Sequence, residues 1–143
     1  MYEDTLKHVN LFSSLDKKDL LALAKSCQER KYSAGSTLFS QGDTGVGLYV
    51  LTSGTVRITQ AKNPDRAEEV LGTEGPGGVL GGMALLDDLP RSATVTAVDD
   101  VTALLLPVWE FRAVVQSNPD IALKLLSVLS RRLRRAENRV HDS

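Results

Sequence analysis

The stretch GPGGVLGGMALLDDLPRSATV, residues 75–95, decides how this chain is read. Five of its first eight residues are glycine (Gly75, Gly77, Gly78, Gly81 and Gly82), and each raises the entropic cost of ordering the backbone. Such a run is explained where the backbone must approach something closely. Met83-Ala84-Leu85-Leu86 is long enough for one helical turn. A glycine-rich entry into such a turn leaves backbone N–H groups pointing outward at the positive end of the dipole, a ready anion site. Beyond it stands Arg91, whose fork of donors suits a phosphate, and Ser92 adds a hydroxyl. The residues alone leave two readings open: an anion cradle, or a glycine-rich surface hairpin with Arg91 in a structural ion pair.

Outward from this stretch the chain is punctuated by short β-prone runs. They cover 36–40, 47–51, 55–60 and 69–71 before it, then 93–97 and 101–106 at and after its end. Gly42-Asp43, Ser53-Gly54 and Asn63-Pro64-Asp65 separate them as turn signals. Evenly spaced short strands of this kind predict an antiparallel barrel or jelly roll. The two ends are helical instead. Leu6, Val9, Leu11 and Phe12 lead to Asp16, an N-cap with Asp19 three residues on, and then to Leu20, Leu21, Leu23, Ala24 and Cys27 at helical spacing. Cys27 therefore reads as a core thiol. The helical period returns at Val108, Phe111, Val114 and Val115, and Asn118-Pro119 starts a last helix that runs to about Val140. The expected architecture is α+β, a double-stranded β-helix flanked by helices. It forms a single domain over 1–143, with a helical segment at 1–31, the barrel at 32–106 and C-terminal helices at 107–140.

Composition narrows the function. The 143 residues are 42% hydrophobic and 24% charged, enough for one domain with a real core. No apolar run reaches the ~18 residues of a membrane span, and MYEDTLKHVN lacks a signal-peptide layout, so a cytoplasmic protein is expected. Cys27 stands alone, which excludes a disulfide framework and a Cys-based zinc or iron–sulfur site within the chain. His8 and His141 are the two histidines. With none between them, a Ser-His-Asp triad and a histidine-based metal site inside the barrel lose their main members. Neither an enzyme nor a resident cofactor or metal is expected.

The net charge of −1 hides an asymmetry. Residues 121–143 carry +4, from Lys124, Arg131, Arg132, Arg134, Arg135 and Arg139 against Glu137 and Asp142, and the rest carries −5. Along that basic helix Leu126, Leu129, Leu133, Ala136 and Val140 form a heptad seam of about two repeats. The seam either packs back on the barrel or pairs with a second copy as a dimer.

The pattern Gly-x-x-Leu-Gly-x-Met-Ala-Leu followed by Pro-Arg-Ser-Ala-Thr-Val resembles the phosphate-binding cassette of cyclic nucleotide-binding domains. These form the superfamily of the catabolite activator protein and the protein kinase A regulatory subunit. Tyr32-x-x-Gly35, Gly42-Asp43, Leu48-Tyr49-Val50-Leu51 and Gly54 are similar to the family's early strands, and Leu11-Phe12-Ser13-Ser14-Leu15 to its helical entry. The resemblance continues through Phe111-Arg112, Asn118-Pro119-Asp120 and Arg131-Arg132-Leu133. It implies a regulatory domain of signal transduction that binds cyclic AMP or cyclic GMP through its phosphate and moves its C-terminal helix on binding. It places Gly81, Gly82, Met83, Ala84, Arg91, Ser92 and Ala93 around the phosphate, and Ile58 and Leu71 on the pocket wall. One position departs from the family: Gly82 stands where a glutamate accepts a hydrogen bond from the ribose. Ala136 and Glu137 stand where two hydroxyl side chains of the long helix meet the base. The same fold binding another anion, or acting as a protein–protein module, therefore stays open beside the nucleotide sensor. No helix-turn-helix domain fits after Val140, so DNA binding is not expected of this chain alone.

Overall fold

The structure is a computed structural model that describes residues 2–63, 65–81, 85–87 and 89–142, with the backbone alone for 139–142. Two compact units are distinct. One is Cys27–Val108; the other joins the residues up to Ser26 with those from Trp109 onward.

The first unit holds eight strands: β1 Gln28–Tyr32, β2 Thr37–Phe39, β3 Gly47–Ser53, β4 Val56–Gln60, β5 Glu69–Glu74, β6 Val79–Leu80, β7 Thr94–Ala97 and β8 Val101–Pro107. They form two four-stranded antiparallel sheets, ordered β1-β8-β3-β6 and β2-β7-β4-β5. This is the jelly roll expected from the strand spacing, although the sheets are not hydrogen-bonded into a closed barrel. In the first sheet Leu48 pairs with Leu106 and Leu51 with Ala103; in the second Ile58 pairs with Val95. Between the sheets Tyr49, Leu51, Val101, Ala103 and Leu105 meet Leu38, Val56, Val95 and Ala97. Each fully buried aliphatic side chain contributes roughly 1.5–3 kcal/mol here. Gly54 turns β3 into β4 with φ +85, and a Cβ there would overlap the Asp100 carbonyl, so only glycine fits this tight turn.

The helical segment expected to run to residue 31 is shorter. It ends at Ala24, and Gln28–Tyr32 is instead a strand. Its polar run, Gln28-Glu29-Arg30-Lys31, suits a sheet edge, where β8 supplies hydrogen bonds on one side and water covers the side chains. Cys27, just before it, is partly buried, and burial pushes its thiol pKa up to about 12.

The second unit comprises α1 Tyr2–Lys7, a 3-10 turn Asn10–Phe12, α2 Lys17–Ala24, α3 Val108–Ser117 (from its second residue) and α4 Pro119–Asp142. Asp16 caps α2 as the sequence predicts. Its carboxylate accepts from the Asp19 N–H at 2.9 Å, and the Asp16 N–H donates to Asp19 Oδ2 at 3.3 Å, a reciprocal capping box. Leu6, Phe12 and Leu23 are buried. Ile121, Leu125 and Val128 are buried at the spacing of one helical face, and α4 packs on the 3-10 turn. Lys124 bonds to Asp16 and Asp19, Arg131 Nη2 donates to Ser14 Oγ at 3.0 Å, and Arg132 Nε donates to Asn10 Oδ1 at 3.0 Å. Asn118, which stands just before the last helix, turns its side chain the other way. Its side-chain amide donates backward to the Val114 carbonyl at 3.2 Å and so closes α3, while Pro119 opens α4.

Candidate functional site: a buried arginine at the wall of a cavity

Arg91 is fixed first through its backbone. Its N–H donates to the Asp43 carbonyl at 2.7 Å, and its carbonyl accepts from the Gly42 N–H at 2.8 Å. The Gly42-Asp43 turn thus clamps the residue on one side. On the other, Gln60 Nε2 donates to the Ser92 carbonyl at 2.8 Å, and the Gln41 N–H donates to Thr94 Oγ1 at 2.9 Å.

The side chain turns inward and is 6% exposed. Nη2 donates to the Gly47 carbonyl at 2.7 Å, and the guanidinium carbon lies 4.1 Å from the centroid of the Phe39 ring. Nε and Nη1 are buried and, among the described residues, have no hydrogen-bond partner. Gly81 lies against Nη1 with φ +76, and a Cβ there would overlap that nitrogen, so glycine is required twice over. Burial lowers the guanidinium pKa, and charge interactions with Tyr49 and Asp43 oppose that shift. The group stays a cation. Among the described residues no carboxylate forms an ion pair with it, so the structural ion pair left open by the sequence is not found. A buried donor left unmade costs roughly 1–3 kcal/mol, more when charged. Two such donors on one guanidinium form a site that an anion would complete.

The arginine lines a cavity of about 440 Å³, a size within the ~300–1,000 Å³ usual for small-molecule sites. Phe39, Ile58, Val79, Leu80, Leu89 and Val95 give it apolar walls, and Arg91, Ser92 and Asp87 supply polar groups. One side therefore suits an anion and the rest suits a flat apolar body.

Of the residues singled out in the sequence, Gly81, Arg91, Ser92, Ala93 and Ile58 all line this cavity. Leu71 does not. A register shift leaves it between the pairs Ile58–Gly72 and Thr59–Val70, and it is 55% exposed. Gly82, Met83 and Ala84 lie outside the described residues; of the helical turn read at 83–86, Leu85 and Leu86 are described, and Leu85 is buried. Along α4, Leu126 and Leu133 are exposed, as is Ala136, and Leu129 is half-buried; the Val140 side chain lies outside the described residues. Phe39, Val79, Leu80, Asp87 and Leu89 were not singled out. The usable signal for Phe39 was its place in a short strand just before the Gly42-Asp43 turn.

The model of the cyclic nucleotide-binding domain matches residues 29–118. The chain is 31% identical to the CRP-like cAMP-activated global transcriptional regulator of Mycobacterium tuberculosis, over 98% of this chain and 62% of that protein. It is 36% identical to the cyclic AMP receptor protein of Thermus thermophilus, over 92% of this chain and 61% of that protein. The chain thus spans about three-fifths of these relatives, both named as regulators or receptors. The crystal structure of the N-terminal domain of a transcriptional regulator from Streptomyces coelicolor A3(2) superposes with a TM-score of 0.86. It is 35% identical, and the match covers 96% of this chain and 95% of that one. Family model, relatives and fold agree: the chain belongs to the cyclic nucleotide-binding domain family.

Proposed function

We propose that this chain is a regulatory, non-catalytic sensor that binds a cyclic nucleotide through its phosphate at Arg91. The observation that carries the proposal is the buried guanidinium with two unpartnered donors at the wall of a cavity that is otherwise mainly apolar. A cyclic phosphate has one negative charge and several acceptor oxygens, which two N–H groups can meet without a second cation. The apolar wall with Ile58 takes the base, Ser92 adds a hydroxyl beside the phosphate, and Gly81 with Gly82, Met83, Ala84 and Ala93 completes the cassette. Two relatives carry names that specify cyclic AMP, which supports the ligand class. Occupancy repositions the C-terminal helix, and the stripe of exposed Leu126, Leu133 and Ala136 with half-buried Leu129 receives a second copy. The setting is the cytoplasm. Among the described residues no helix is long and apolar enough to cross a membrane.

Calorimetric titration with cyclic AMP, cyclic GMP and cyclic dinucleotides tests the ligand class. Gly82→Glu adds the carboxylate that the family places against the ribose, and it should tighten cyclic AMP binding about tenfold to a hundredfold. A loss of affinity would point to a different anion, repelled by the new charge. No binding before or after the change, with the fold intact, would leave a protein–protein module. The stripe is tested by sedimentation: Leu129→Lys with Leu133→Lys should convert a dimer into a folded monomer.

A further inference from the structure

We infer that Phe39 is a positioning residue for Arg91: its ring holds the guanidinium in place without consuming a donor that the ligand needs. The inference rests on the reading of Arg91 as the anion-binding group.

A buried arginine ordinarily meets a carboxylate, because an isolated buried charge is costly. Here that solution would defeat the site. A carboxylate on Nε and Nη1 would occupy the two donors an anionic ligand has to reach, and its charge would oppose the ligand's. Among the described residues the carboxylate whose charge is felt at Arg91 is that of Asp43, and its Oδ2 accepts from the Ser40 N–H at 3.0 Å. The chain uses an aromatic face instead. The guanidinium carbon stands 4.1 Å from the Phe39 centroid, within the ~6 Å reach of a cation–π contact. A ring quadrupole attracts the cation through its face and accepts no conventional hydrogen bond from its edge, so the donors stay available. With Nη2 tied to the Gly47 carbonyl and the ring beneath, the fork has a fixed plane before any ligand arrives.

The ring is itself held. Phe39 packs against Tyr49 with centroids 5.9 Å apart, and Tyr49 meets Tyr32 edge-on at 6.4 Å. Tyr49 is buried, while Tyr32 is kept neutral by burial and by its hydrogen bond with Tyr49. Phe39 reaches this position through a register shift in the β2–β7 pairing between Thr37 and Phe39. The shift lets Leu38 and Phe39 both pack toward the core although they are neighbours in a strand. Phe39 also lines the cavity beside Arg91.

If the ring presets Arg91, weakening its quadrupole lowers the fraction of chains ready to bind, and apparent affinity falls by that fraction. The test replaces Phe39 in the full chain by mono-, di- and trifluorophenylalanine, which keep ring size while progressively removing electron density from the face. Cyclic AMP affinity should fall stepwise, by about threefold to tenfold across the series. Phe39→Leu, checked for folding by circular dichroism, should fall at least as far. In the ligand-free wild type the Arg91 Cδ protons should be shifted upfield by the ring current and lose that shift in Phe39→Leu. Affinity that is flat or rises across the series, or Arg91 protons at random-coil positions in the wild type, overturns the positioning role. A wild type that binds cyclic AMP beside a flat series overturns this inference alone. A wild type that binds neither cyclic AMP nor cyclic GMP overturns the function and this inference with it.

Discussion

Two cations in this molecule are treated in opposite ways. Lys124 on α4 sits with its side chain 32% exposed, bonded to both Asp16 and Asp19 of the α2 cap. Those carboxylates raise its pKa, the Asp19 hydrogen bond most of all. Arg91 is far more buried and, among the described residues, has no carboxylate bonded to it and two of its nitrogens unmatched. The chain pairs with carboxylates the cation that stitches helices, and holds the one that lines a cavity without such a partner among the described residues. A structural cation is stabilised by pairing; a binding cation has to be held by contacts that do not use up its donors. The Gly47 carbonyl and the Phe39 ring do this for Arg91.

The widest gap between the two should appear on deletion. Arg91→Ala is expected to weaken cyclic AMP binding by more than ~2 kcal/mol, roughly thirtyfold, in a titration. The ligand-free melting temperature should hold or rise, because two unsatisfied buried donors leave with the side chain. A large drop in melting temperature would instead mean that the chain depends on Arg91 for its fold, as it depends on core residues.

A smaller effect comes from Gly81→Ala. The residue has φ +76, and its new methyl would press on Arg91 Nη1. The backbone strain alone is about 1–2 kcal/mol. Denaturant unfolding should register that loss, and cyclic AMP affinity should fall in the same variant as the guanidinium is displaced. Unchanged affinity would show that Nη1 takes no part in binding.

The smallest effect belongs to the helix cap. The Asp19 backbone N–H, more than any other group, holds the Asp16 carboxyl below the usual carboxylate value, with Lys124 adding to the shift. A lowered folded pKa means the contribution is complete above the unfolded value near 3.8 and is lost as pH falls through the folded value. Asp16→Asn should therefore lower the melting temperature slightly at neutral pH, flatten its decline in acid and leave ligand affinity untouched.

The sequence disclosed these regions unequally, for physical reasons. Strands with one wet and one dry face, such as β4 and β7, and glycine-marked turns at Gly42 and Gly54 were legible, because alternation and positive φ leave local signatures. β1 was not, since an edge strand of polar residues looks like a helix surface until its partner β8 is known. β6, two residues inside a glycine-rich run, offers too little pattern to read. At the site, Arg91 and Gly81 stood out by motif. Leu71 and Phe39 depended on register shifts, which arise between strands and not within them: one shift left Leu71 exposed, and the other brought Phe39 beneath the guanidinium.

The most direct test of the account observes the Arg91 Nε–H itself in ¹H–¹⁵N spectra of the wild-type chain, assigned by its absence in Arg91→Ala. Without ligand, a buried and unpartnered N–H should give an upfield proton signal. On titration with cyclic AMP it should move downfield and exchange more slowly, in step with the calorimetric saturation curve. Cyclic AMP that saturates the protein while the Arg91 Nε–H stays where it was would contradict the central claim, that this buried arginine keeps its donors for the ligand's phosphate.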